Sequence, residues 1–91
     1  MKYSDADAKL VATTNPSMEK FVGETGHLMA YVPWVTRQEK QEVVENDSAY
    51  FDMLTTFLYT STIQKIEDDS KYLTLYTMNS IYKFERLDNG G

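Results

Sequence analysis

The chain has 91 residues, enough for one domain and a single modest core. Its 42% hydrophobic and 13% aromatic content excludes a disordered polymer, and the absence of cysteine excludes disulfide stapling and thiolate metal sites. Nine basic against fourteen acidic residues give a net charge of −5, which disfavours nonspecific binding to nucleic acid or anionic membrane.

In chain order, Ser4 can cap a short helix that ends by Thr14, because residues ahead of Pro16 avoid the α region. The rival is a strand over Leu10–Thr14, suggested by Val11, Thr13 and Thr14. Met18–Val22 and His27–Val32 flank Gly23-Glu24-Thr25-Gly26, the pattern of a β-hairpin; a one-turn helix after Asn15-Pro16, stopped at Gly23, is the alternative for the first arm. Thr36-Arg37-Gln38-Glu39 has capping-box spacing, and apolar Val43, Val44, Tyr50, Phe51, Leu54, Phe57 and Leu58 follow at helical spacing. That spacing predicts a central helix, broken into about 37–45 and 48–58 or kinked at Asn46-Asp47-Ser48.

Ile63–Glu67, Tyr72–Met78 and Ile81–Leu87 are rich in β-branched and aromatic residues and predict an antiparallel three-stranded meander. If Met78-Asn79 form its second turn, Leu73 faces Phe84 and Leu75 faces Tyr82; if Asn79-Ser80 do, Leu75 faces Phe84 and Thr77 faces Tyr82. Either register puts Leu73, Leu75, Tyr82 and Phe84 on one face. Ile63 and Ile66 are three apart, which predicts a bulge near Gln64-Lys65. The opposite face carries Tyr72, Thr74, Tyr76, Met78 and Ile81 beside Lys83 and Glu85, more apolar than an ordinary solvated face. The expected fold is therefore α+β: an N-terminal helix, a hairpin, a central helix and the meander, arranged as a curled sheet or SH3-like half-barrel with a helical insertion. An open sheet with helices on one face is the runner-up.

No arrangement of residues announces chemistry. His27 is the single histidine, so a triad or imidazole metal site would have to be built on it. Asp5/Asp7, Glu42/Glu45 and Glu67/Asp68/Asp69 lack the spacing of a calcium loop and read as solvated surface. The glycines at 23 and 26 lack the Lys-Ser/Thr of a phosphate loop. The sequence thus points away from an enzyme, and no cofactor or metal is expected. Candidate partner-binding residues are Glu39, Glu42, Glu45 and Asp47 on the acidic segment, Trp34 at its start, and Tyr72, Tyr76 and Met78 on the meander.

Thr60-Ser61-Thr62-Ile63, with Thr77-Met78-Asn79-Ser80-Ile81-Tyr82, resembles a pattern of small phage and prophage proteins. Those carry a Thr-Ser-x-Val start and a Thr-x-Asn-Ser-x-Tyr finish on a curled sheet; here Ile63 stands where Val is commoner. The resemblance spans residues 60–87, implies a phage-type origin, and names no activity. It leads to the expectation of a cytoplasmic protein of the bacterial host that binds another protein with a basic surface, with inhibition of a bacterial defence system as the most concrete version. No signal peptide or membrane span is expected. The alternative is a small-ligand or nucleotide sponge in which aromatics stack a base. A second apolar sheet face would also serve a homodimer.

Overall fold

The computed structural model describes residues 6–30, 43–53 and 56–87. They form seven antiparallel strands: β1 (Ala8–Thr13), β2 (Thr25–Ala30), β3 (Ala49–Asp52), β4 (Phe57–Tyr59), β5 (Ile63–Asp68), β6 (Tyr72–Thr77) and β7 (Ile81–Arg86). The strands lie in one open sheet in the order β4-β3-β2-β1-β7-β6-β5. The sole helical element among the described residues is a six-residue 3-10 turn, Pro16–Phe21.

This overturns the α+β expectation and both of its helix-containing architectures, the half-barrel with a helical insertion and the sheet with helices on one face. The N-terminal helix is absent from residues 6–14: the rival strand forms instead, because β1 pairs with β7 as well as β2 and buries Ala8 and Leu10. Helix propensity is a weak preference beside two flanking ladders. The first arm of the expected hairpin is the 3-10 turn: Asn15 Oδ1 accepts from the Ser17 amide at 2.9 Å, and Pro16 takes the first helical position. Gly23 follows with φ +99°, a conformation open to glycine, and its N–H donates to Leu10 O at 2.7 Å. The second arm of that hairpin is a strand, β2, as the sequence suggests.

The expected central helix is contradicted over its described part. Residues 43–48 are not helical, and β3 and β4 occupy the stretch read as the second half. Its positions 37–42, 54 and 55 lie outside the described residues. Alternation decides the outcome: Ala49, Phe51 and Met53 point inward, as do Leu58 and Thr60 on the return arm.

The C-terminal meander forms with bounds within a residue of those expected. Its β6–β7 register pairs Leu73 with Phe84 and Leu75 with Tyr82, which places Met78-Asn79 in the two-residue loop. The β5–β6 ladder shifts register between Ile63 and Lys65, at the expected bulge. Leu73, Leu75, Tyr82 and Phe84 are all buried.

The sheet coils until its halves face each other. Phe51 on β3 meets Phe84 on β7 edge-to-face, centroids 4.9 Å apart, although β2 and β1 lie between them in the sheet. The core joins Leu10, Leu28, Phe51, Leu58, Ile63, Leu75 and Phe84, with Met18 and Phe21 of the 3-10 turn packed against it. One corner is tied shut. Ile63, the first residue of edge strand β5, donates its N–H to Asp47 O and accepts from the Asn46 N–H, both at 2.8 Å. Glu45 then caps the Ile66 amide with its carboxylate at 3.2 Å. A bulge, Lys65 and this covering segment together blunt the β5 edge.

Candidate functional site

The outer face of the meander is built by the observed register. Across it run the rows Lys65–Tyr76–Ile81 and Glu67–Thr74–Lys83, then Tyr72–Glu85–Lys9. Tyr72 and Tyr76 therefore sit in a checkerboard of opposite charges. The Lys83 ammonium lies 4.5 Å and that of Lys71 5.4 Å from the Tyr72 ring centroid, while Lys65 lies 5.6 Å from that of Tyr76. The Tyr76 hydroxyl donates to Glu67 Oε1. That bond, with Lys65 nearby, holds the Glu67 carboxyl below its usual range, and the same bond raises the Tyr76 phenol. Lysine ammonium groups and cross-strand partners thus surround the half-buried tyrosines that made this face look too apolar.

Between the two tyrosines lies a shallow groove of about 610 Å³, with Thr74 inside it, Lys83 on one side and Glu67, Asp68 and Asp69 on the other. Asp69 Oδ1 is engaged by the Lys71 and Tyr72 amides, and Asp68 by the Arg86 guanidinium and the Ser70 amide. The Arg86 bond holds the Asp68 carboxyl below its usual range, with the Ser70 amide adding to the effect. Met78 belongs to the turn beyond β6 and is 64% exposed.

The other sequence candidates are not brought together with this groove. Glu45 and Asp47 are exposed on the segment leading into β3. Trp34, Glu39 and Glu42 lie outside the described residues. His27, on β2, places Nδ1 3.4 Å from Asp7 Oδ2, while Asp7 Oδ1 accepts the Leu28 amide at 3.0 Å. The Asp7 carboxylate thereby clips the segment before β1 onto β2. Among the described residues no three His, Asp or Glu side chains gather in a way that could hold a metal ion, and no helix is long and apolar enough to cross a membrane.

A second surface was not singled out by sequence reasoning. On the outer face of the β3–β4 hairpin, Tyr50 stacks on Phe57 (centroids 5.3 Å, planes 19° apart) and Phe57 on Tyr59 (5.9 Å, 14°). Phe57 is 49% and Tyr59 54% exposed, while Leu58 between them is buried. The signal was the in–out alternation of Phe57-Leu58-Tyr59 among β-branched threonines, masked by the helical spacing of Tyr50, Leu54, Phe57 and Leu58.

Comparison with protein-family models, with curated proteins and with solved structures found no match.

Proposed function

We propose that this is a non-enzymatic domain of phage type that acts by docking on another protein, and that the stacked rings of Phe57 and Tyr59, backed by Tyr50, form the centre of the contact. One observation carries this reading: two large aromatic side chains are about half exposed and already fixed by mutual stacking. Aromatic residues are the commonest interface anchors, and rings ordered in advance lose little conformational entropy when a partner arrives. The partner is a protein with a basic surface. The net charge of −5 steers such a surface inward, exposed Glu45 and Asp47 lie three to five residues before Tyr50, and an arginine can stack on the rings beside them. The phage-like pattern at residues 60–87 makes inhibition of a bacterial defence system the most concrete version.

The test is affinity capture from a bacterial lysate with the wild-type protein and with Phe57→Thr/Tyr59→Thr, which keeps strand propensity. The expected result is one specific partner, held less strongly at high salt and lost by the double variant. Full retention by a folded double variant refutes the assignment.

The second reading is a nucleotide-type ligand on Tyr72 and Tyr76, and the three lysine ammonium groups beside those rings favour it. Glu67, Asp68 and Asp69 line the same groove and repel phosphate, so protein docking is preferred. A nucleotide panel that raises the melting temperature would reverse that order.

A further inference from the structure

The corner tied at Ile63 is one end of β5. Towards the other end of β5, the Ile66 and Asp68 side chains border a cleft of about 260 Å³ that opens into the coiled sheet. Buried Leu28, Leu73 and Phe84, from β2, β6 and β7, give it an apolar floor. Its rim is polar and carries both signs: the Arg86 guanidinium grips Asp68 through Nε and Nη2, and Asp7, a second carboxylate, accepts the Leu28 amide. A fully charged ligand would meet both signs at this rim, whereas a neutral hydroxyl can donate to a carboxylate or accept from the guanidinium.

We propose that this cleft is a binding site for a small, uncharged, amphipathic molecule of the phenol or alcohol class, its hydrocarbon on Leu28, Leu73 and Phe84 and its hydroxyl at the Asp68–Arg86 rim. The volume lies near the lower end of ligand pockets, which sets the size at roughly one ring. Tyr50, Phe57 and Tyr59 are not among the residues that line the cleft, so the proposal does not depend on the proposed docking.

The test is NMR titration of the methyl-labelled protein with phenol, benzylamine and benzoate. The expected result is saturable movement of Leu28, Ile66 and Leu73 methyls by phenol, with Val22 unmoved, and at least roughly tenfold weaker binding of both ions. Ala8→Leu, which fills the cleft, should abolish the shifts. Arg86→Gln, on an exposed side chain, leaves Asp68 uncompensated and should make benzylamine the preferred ligand. Absence of a saturable phenol shift at these methyls, equal or tighter binding of either ion by the wild type, or an unchanged preference in Arg86→Gln overturns the proposal.

Discussion

Gly26→Ala is the sharpest perturbation of this fold. A Cβ built at Gly26 would lie 2.1 Å from the backbone oxygen of Asp52, 2.9 Å from its carbonyl carbon and 3.2 Å from Met53 Cα. A carbon–oxygen contact needs about 3.3 Å, so β3 must retreat by roughly 1 Å. The obstacle is backbone, and it is held by the β2–β3 ladder that pairs His27 with Asp52 and Leu28 with Phe51. Overpacking of this kind costs about 1–3 kcal/mol, and two weakened ladder hydrogen bonds add about 1 kcal/mol each. A loss of about 3 kcal/mol lowers the melting temperature of a chain this size by about 12–24 °C. Circular dichroism during thermal and urea unfolding measures it. Gly23→Ala is the control: nothing lies within 4 Å of its added Cβ, and only the φ of +99° is strained, for about 1–2 kcal/mol. A Gly26→Ala protein that melts within about 4 °C of wild type, or no lower than Gly23→Ala, refutes the close-approach argument.

Phe84→Ala removes a fully buried ring and its contact with Phe51, and should cost about 3–5 kcal/mol in urea unfolding. Thr60→Val keeps the side-chain shape but removes the hydroxyl that accepts the Ala49 amide at 3.1 Å and donates to Ser61 O at 2.8 Å; a loss of about 1–3 kcal/mol is expected from the stranded amide. Glu67 and Asp68 have folded-state carboxyls depressed below 4.5 and 3.8, so their contribution is complete above those values and disappears as pH falls through the lower folded ones. Tyr76 is raised above 10.0, so its contribution is present below that pH and disappears on going higher. Melting temperature should therefore fall below about pH 4, less steeply in Asp68→Asn, and an identical acid slope in that variant would contradict the Arg86 pairing.

The meander was legible because every one of its pairings is local. Strict alternation sorts Leu73, Leu75, Tyr82 and Phe84 from Tyr72, Thr74 and Tyr76, and Asp69 and Asn79 carry turn chemistry. β1 was harder because what makes it a strand is β7, whose relevant residues lie about seventy positions away; no window around Leu10 contains Phe84. β3 and β4 are four and three residues long, too short for period two to outweigh the helical spacing of the same apolar residues. The binding surfaces follow suit. The apolar character of the Tyr72/Tyr76 face was readable, yet the placement of Lys65, Lys71 and Lys83 around its tyrosines needed the cross-strand register. Phe57 falls inside the expected helix and Tyr59 just past its end, so the two could not be recognised as one exposed stack.

The position of β7 has a consequence for how the chain reaches its native state. The last strand in sequence is the fifth of seven across the sheet, wedged between β1 and β6. Hairpins β3–β4 and β5–β6 can form early from neighbouring residues, but the inner faces that hold Phe51 and Leu75 stay wet until β7 docks against β1. Folding must therefore wait on this long-range closure, which places it in the slow, millisecond-to-second class. Deleting residues 81–87 would split the sheet into two fragments with open apolar faces and unpaired edges, and aggregation rather than a smaller domain is the expected product.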